Sequence, residues 1–360
     1  MQFTPRENIS VSYGSTLRKK KLFHYSYNCS TDNGSSGSPI FNFSNNKVIG
    51  WHIGNDKYSN FGGCLNLAIR DFIDSIKNYK ESDFSNLKLI SAGSCGDVYS
   101  AYSIKDKKEV CLKKINKEKM RLNYQQNELN DYLNDLNNEI RILKLFSKNE
   151  NSLKFYGTYD EGNNKIIVME KCDMNLKEYV KKRNASLKPN EIKEKFLKMN
   201  ELFKLIQDNN IIHRDLKLEN FLIKFTDKEK TKYILKLGDY GTGKFKLESN
   251  GIFSGLKGTI ETVAPEIILQ KTKKYESIVD IFSLGIILYQ LSHNLRHPFG
   301  ENYIVYVMKY QNNYEDDNLA VDFGNSIEDK NFKDLLTKML RINPKNRLTW
   351  EKYFEHPFFN

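Results

Sequence analysis

The 360-residue sequence predicts an α+β fold, β-rich in its middle and mainly helical after it, on three observations. Apolar and polar residues alternate across 87–114 with glycines at the turn, which is the period of half-buried strands. Apolar residues recur at spacings of three and four over 123–146 and again over 191–208, the period of amphipathic helices. A Ser-, Asn- and aromatic-rich stretch precedes both, with strand-like runs at 39–43 and 48–53 and a helical ending at 67–79.

Composition narrows the function classes. With 56 Lys+Arg against 45 Asp+Glu the formal charge is +11, which favours acidic partners, nucleotides or phosphorylated peptides. The basic residues form no cluster interleaved with aromatics, so no nucleic-acid partner is expected. Cys29, Cys64, Cys95, Cys111 and Cys172 show no CxxC spacing and leave one unpaired, which argues against a zinc site or a disulfide framework and for a reducing compartment. No apolar run reaches the roughly 20 residues that span a bilayer. The start MQFTPRENIS lacks the apolar segment of a secretory signal, so the expected location is cytoplasmic.

Taken in order, residues 1–80 form one expected module and 85–360 a second, with KNYKESDFSN between them. The second opens with LKLI, then SAGSCGD, then VYSAY, which reads as strand, glycine turn, strand. A loop that covers phosphates needs glycine where backbone N–H groups approach the oxygens, and Gly93 and Gly96 provide two such positions. The strand EVCLKK follows, and alternation sends Lys113 and Lys114 to opposite faces. Leu129, Leu133, Leu136, Ile140 and Leu143 stripe the helix of 123–146. Strands at 154–159 and 165–170 come next, then a helix on Ile192, Phe196, Met199, Leu202 and Leu205. IIHRDLKLENFL sets an acid, Asp215, a cation, Lys217, and an amide, Asn220, on a short polar loop between apolar runs, where a reacting phosphate can be held.

His213-Arg214-Asp215 with Lys217 and Asn220 resembles the catalytic loop of eukaryotic protein kinases, and Lys217 resembles the serine/threonine branch. The other motifs of that family stand around it in order, over about three quarters of the chain. The resemblance implies a bilobal protein-kinase-like fold, a β-rich small lobe and a mainly helical large lobe, that transfers the ATP γ-phosphate to a Ser or Thr hydroxyl of a protein substrate, with Mg²⁺. It makes Asp215 the base, puts Lys217 on the γ-phosphate, and makes Asn220 and Asp239 of LKLGDYG the metal ligands. Lys113 would meet the α- and β-phosphates and pair with Glu139, with Glu128 as alternative. Ser91, Gly93, Gly96, Val98, Met169, Glu170, Cys172 and Leu222 would surround the nucleotide: Ser91 stands for the usual first glycine, Met169 guards the back of the pocket, and backbone groups of Glu170 and Cys172 meet the adenine edge. Tyr240 replaces the family's phenylalanine and brings a hydroxyl that must be satisfied.

Residues 242–263 would be an activation loop on which another kinase acts, with Ser249, Ser254, Thr259 and Thr262 as acceptors and Arg214 as the phosphate's partner. Ser254 leads for regulation, because Thr259 is expected to contact Asp215. Asp280 would hold the catalytic-loop backbone, and Arg347 would pair with Glu266 of Ala264-Pro265-Glu266. A pseudokinase is the rival reading, opposed by the presence of Lys113, Glu139, Asp215, Asn220 and Asp239.

In the first module, Asn33 to Ile40 followed by Val48 to His52 resembles the nucleophile region of trypsin-like serine peptidases. That implies a partial β-barrel-like module with Ser36 as nucleophile and the N–H groups of Gly34 and Ser36 as oxyanion hole. The base and orienting carboxylate of that family lie well upstream of the serine, where this chain has only His24, so the fragment is expected to be inactive.

Overall fold

The computed structural model describes residues 15–21, 24–28, 39–42, 47–55, 60–64, 79–93, 96–116, 126–245, 259–269, 276–309, 321, 323 and 328–360. The chain divides into two compact units, Met1–Tyr79 and Lys80–Asn360. In the first, β1 (Ser15–Lys21), β2 (His24–Asn28), β3 (Pro39–Asn42), β4 (Lys47–Asn55) and β5 (Asn60–Cys64) form an antiparallel sheet in the order β1-β2-β5-β4-β3. The runs read at 39–43 and 48–53 correspond to β3 and β4, paired with Pro39 opposite Trp51 and Ile40 opposite Gly50.

The expected partial β-barrel is overturned. Closing a sheet requires its edge strands to pair with a fixed stagger, and here β1 and β3 remain the two edges; no sheet among the described residues closes. The sequence of β1, STLRKKK, supplies a reason: four successive cations are the means by which edge strands avoid further pairing. Gly34 and Ser36 lie outside the described residues, as does the helical reading of 67–79 except for Tyr79.

The second unit begins with a small lobe. Strands β6 (Phe84–Gly93), β7 (Gly96–Ser103), β8 (Lys108–Asn116), β9 (Phe155–Glu161) and β10 (Asn164–Glu170) pair antiparallel in the order β6-β7-β8-β10-β9. Helix α1 (Gln126–Phe146) connects β8 to β9. Its buried residues are Asp135, Leu136, Glu139, Ile142, Leu143 and Phe146, while Leu133 and Ile140 of the predicted stripe sit at the flank. The buried face thus shares Leu136 and Leu143 with the leucine stripe and carries two carboxylates, of which Glu139 faces Lys113.

The large lobe starts at β11 (Met174–Asn175), where Asn175 caps α2 (Leu176–Arg183) by accepting from the Glu178 N–H at 2.9 Å. Helix α3 (Pro189–Asp208) buries Ile192, Phe196, Met199, Leu202, Phe203 and Ile206; Leu205, predicted for the stripe, is exposed and Ile206 takes its place. Strands β12 (Ile211–Ile212), β13 (Phe221–Phe225), β14 (Tyr233–Leu237) and β15 (Lys244–Phe245) lie above α3 in sequence, and β13 pairs with both β11 and β14. The remaining helices are α4 (Pro265–Ile268), α5 (Ile278–Ser292), α6 (Tyr303–Lys309), α7 (Lys330–Met339) and α8 (Trp350–Phe354). Helix α5 is buried along nearly its whole length, and Gly285 lets α7 come close, since a Cβ there would lie 2.9 Å from Leu340 Cδ2.

Three buried charged side chains, one carboxylate and one ion pair, hold this frame. Asp280 of α5, 1% exposed, accepts the backbone N–H groups of His213 at 2.7 Å and Arg214 at 2.9 Å. Arg347 and Glu266 form a two-pronged pair at 2.7 and 2.8 Å, and the guanidinium also donates to the carbonyls of Ile278, Arg341 and Ile342. Removing one partner strands the other charge in the interior. Urea unfolding of Arg347→Ala should therefore show a stability loss of about 3–5 kcal/mol. Asp280→Asn keeps one acceptor and turns an N–H₂ toward a backbone N–H; the same measurement should show a loss of about 1.5–3 kcal/mol.

Candidate active site

Two polar clusters face each other across the lobes, and a hairpin joins them. In the small lobe, Lys113 of β8 places its Nζ 2.6 Å from Glu139 Oε1 on α1 and 3.1 Å from Asp239 Oδ1. Glu128, the alternative partner, belongs to the part of α1 whose side chains lie outside the described residues. Lys114 pairs instead with Glu161 at 2.8 Å, as strand alternation requires. Burial opposes the Lys113 charge, but the two carboxylates outweigh it and hold the ammonium above the usual lysine range. Lys113 in turn draws Asp239 down to about 2, so that carboxylate is ionised at any pH near neutrality. Burial pushes Glu139 the other way, upward.

In the large lobe, the loop after β12 brings Asp215, Lys217 and Asn220 together. Asp215 Oδ2 accepts from Lys217 Nζ at 2.7 Å, and Oδ1 accepts both the N–H and the hydroxyl of Thr259 at 2.8 Å. The Thr259 hydroxyl also accepts from Lys217 Nζ at 2.9 Å, so the predicted Thr259 contact is present. Asn220 Nδ2 donates to the Asp215 carbonyl at 2.7 Å, which fixes the amide.

Register brings the clusters together. Phe221 pairs with Leu237, and the Gly238 N–H donates to the Asn220 carbonyl at 2.9 Å. Asn220 and Asp239 consequently flank the same end of the β13–β14 hairpin. Gly241 needs its missing side chain: a Cβ would stand 3.1 Å from Asp239 Oδ1 and 3.4 Å from Glu139 Oε2.

Two site residues take left-handed backbone, Arg214 at φ 67 and Asp239 at φ 52, which costs a non-glycine residue energy and needs outside restraint. For Arg214 the restraints are Asp280 on its N–H and the Thr242 carbonyl on its guanidinium, bonded through Nε at 2.6 Å and also through Nη2. The guanidinium expected to meet a loop phosphate is therefore turned to Thr242. Of the expected phosphate acceptors, Ser249 and Ser254 lie outside the described residues, and Thr262 is buried with its carbonyl bonded to Ser283, so it is not accessible.

On the nucleotide side, Ser91 of β6 pairs with Val98 of β7, and Val98 pairs with Lys113, so the three lie in one row across the sheet. Gly93 and Gly96 face each other at the end of this hairpin; Gly96 has φ 143 and a Cβ there would lie 2.6 Å from the Lys114 carbonyl. Cys95 lies outside the described residues. Met169 is buried between Cys111 and Phe155, its register partners. The Glu170 N–H donates to the Lys154 carbonyl at 2.9 Å, which leaves only its carbonyl for a base. Burial pushes the thiols of Cys111 and Cys172 up to about 11 and about 12, so both stay protonated. Leu222 packs beside Gly238, where a Cβ would meet its Cδ1 at 3.1 Å.

Sequence reading missed Lys236. Only 2% exposed, it donates to the carbonyls of Glu150 at 2.7 Å and Ser152 at 3.3 Å and pairs with Glu170 at 3.1 Å. Its setting in Leu-Lys-Leu looks like an alternating strand with Lys outward, but both faces of β14 are covered here.

The comparisons agree with this arrangement. Residues 84–359 match the family described as Protein kinase domain. The chain is 30% identical over 285 residues to the probable serine/threonine-protein kinase nek3 of Dictyostelium discoideum, covering 77% of this chain and 23% of that protein. To the serine/threonine-protein kinase Nek5 of Homo sapiens it is 28% identical, over 76% of this chain and 36% of the relative. To the serine/threonine-protein kinase ATG1b of Arabidopsis thaliana it is 29% identical, over 77% and 37%. The chain thus spans between a quarter and two fifths of the length of these relatives, roughly the extent of one domain. With this match over most of its length, and with the Lys113–Glu139 pair and the Asp215 loop arranged as described, the chain belongs to the protein kinases.

Proposed function

We propose that this protein is an ATP- and Mg²⁺-dependent protein serine/threonine kinase whose catalytic domain runs from 85 to 360 and acts on a cytoplasmic protein substrate. The observation that carries this reading is the Lys113 ammonium held between Glu139 and Asp239, which presents a cation and an ionised carboxylate at one end of the nucleotide cleft. The residues fit magnesium by the chemistry of the donor set. Asp239 and Asn220 offer hard oxygen donors at adjoining ends of a hairpin, too few for an all-protein cage, and Mg²⁺ is commonly held by one or two such groups with phosphate oxygens and water. Bound there, the metal would neutralise charge on the phosphates.

The chain's own groups divide the rest of the work. Lys113 orients the α- and β-phosphates, and Lys217 neutralises charge on the γ-phosphoryl oxygens. Asp215 orients the substrate hydroxyl and takes its proton, its carboxylate fixed in place by Thr259 and Lys217. The cation and the carboxylate at the transfer point share the hydroxyl of Thr259, so the segment that follows the activation loop is part of the catalytic frame. Val98, Met169, Leu222, the Glu170 carbonyl and backbone groups of Cys172 form the base pocket. For an activating kinase acting on the 242–263 loop, Thr259 is engaged with Asp215 and Thr262 is buried, which leaves Ser249 and Ser254 as the remaining candidate acceptors. No helix among the described residues is long and apolar enough to cross a membrane.

Transfer of labelled phosphate from ATP to a generic protein substrate tests the reading. Asp215→Asn should lower transfer by about 10²- to 10⁴-fold, the range for a positioned base, and Ser36→Ala should leave it unchanged. Phosphate transfer that survives Asp215→Asn would sink the assignment. Mg²⁺·ATP at a hundred times its dissociation constant should stabilise the wild-type fold by about 2.7 kcal/mol in a denaturation experiment, and Lys113→Met should abolish most of that gain.

A further inference from the structure

The segment that carries Asp239 has a restraint of its own. Asp239 sits at φ 52, and residues flanking a left-handed position return to ordinary backbone unless the surroundings hold them. Its neighbour Tyr240 is fully buried, with its ring 5.4 Å from that of His213 and 6.2 Å from that of Phe146. The Tyr240 hydroxyl lies 3.2 Å from Ser152 Oγ, and Ser152 is itself 0% exposed. Each hydroxyl satisfies the other in a site closed to water.

Ser152 is in turn immobilised by its backbone. It forms a parallel bridge to Leu237, its carbonyl accepts from the buried Lys236 ammonium at 3.3 Å, and the residues on either side bond to Leu237. Those bonds run from Leu237 N–H to the Asn151 carbonyl at 2.7 Å and from Leu153 N–H to the Leu237 carbonyl at 3.2 Å. The strand leading to Asp239 and the residue that grips the ring after Asp239 therefore belong to one hydrogen-bonded unit.

From this geometry we propose that Ser152 is a positioning residue: its hydroxyl latches Tyr240 and thereby holds the Asp239 carboxylate beside Lys113 and at the metal site. The inference rests on the function proposed above for Asp239, and it gives the tyrosine at this position a role that phenylalanine would not fill. Withdrawing the ring would carry Asp239 away, since one peptide bond separates them. Losing the latch bond then lets the segment leave its left-handed setting more often.

A double-mutant cycle on the full chain tests it, using Ser152→Ala, Tyr240→Phe and the pair together. Either single change strands one buried hydroxyl; the pair removes both. Each single variant should raise the Mg²⁺ concentration for half-maximal phosphate transfer by about 3- to 10-fold, with the rate at saturating Mg²⁺ within about 2-fold of wild type, as loss of one net hydrogen bond predicts. The pair lacks the same latch bond and no other, so it should stay within about 2-fold of the single variants on both rather than return to wild type. Amide hydrogen exchange without nucleotide provides a second readout, in which the peptide spanning 239–245 should exchange faster in each single variant and to the same extent in the pair. Single variants that lose stability but keep the wild-type Mg²⁺ response and exchange would show a purely structural contact and overturn the proposal, as would losses that simply add in the pair. If Asp215→Asn leaves transfer intact, the kinase reading fails separately, and the exchange result alone decides the latch.

Discussion

An ammonium between two carboxylates from opposite lobes is the constraint on which this protein's chemistry depends. Lys113 lies on a strand of the small sheet, Glu139 on the helix packed against it, and Asp239 at the end of a hairpin in the large lobe. Three elements distant in sequence must each be correctly seated for the three side chains to meet. Burial of Lys113 and Glu139 makes the arrangement strict, because either charge without its counter-charge is costly where water cannot solvate it, whereas Asp239 remains half-exposed at the cleft.

The rest of the unit can be understood as support for that meeting. Asp280 holds the backbone of the catalytic loop, Arg347 holds Glu266 below the loop that delivers Thr259 to Asp215, and Lys236 ties the turn after α1 to the end of β10. Each is a buried charge with partners from other elements: Asp280 is satisfied by backbone N–H groups, Arg347 and Lys236 by backbone carbonyls together with a carboxylate. Two of the left-handed non-glycine residues, Arg214 and Asp239, stand in the candidate site, each held there by neighbouring elements.

Much of this was legible in the residues, within limits set by physics. The catalytic loop, the lysine strand, DYG, Asp280 and the Arg347–Glu266 pair could be placed because their motifs resemble those of the protein kinases in type and order; the long-range pairs among them, 66 to 81 residues apart, followed from that resemblance and not from local spacing. The face of α1 was read in part: Leu136 and Leu143 of the leucine stripe are buried, whereas Leu133 and Ile140 lie at its flank, because the helix also turns Glu139 inward to Lys113 and a period of leucines carries no sign of that. Leu205 and Ile206 compete for one helical stripe, and only packing chooses between neighbours. The barrel expected at the start of the chain failed for a similar reason: strands can be read from alternation, but closure depends on whether the edge strands pair, and among the described residues β1 and β3 do not.

Sequence by itself determined the inventory, meaning which groups of which chemistry stand at which intervals, and the element type wherever the apolar period was strong. Tertiary structure decided how the charges pair: that Arg214 turns to Thr242, that Lys236 lies inside, that Glu170 spends its N–H on Lys154, and that Tyr240 finds Ser152. The division follows from range. Backbone geometry and side-chain period act over a few residues and are written in the sequence, whereas a buried polar group is satisfied by whatever the fold places within about 3 Å of it, and that neighbour is distant along the chain.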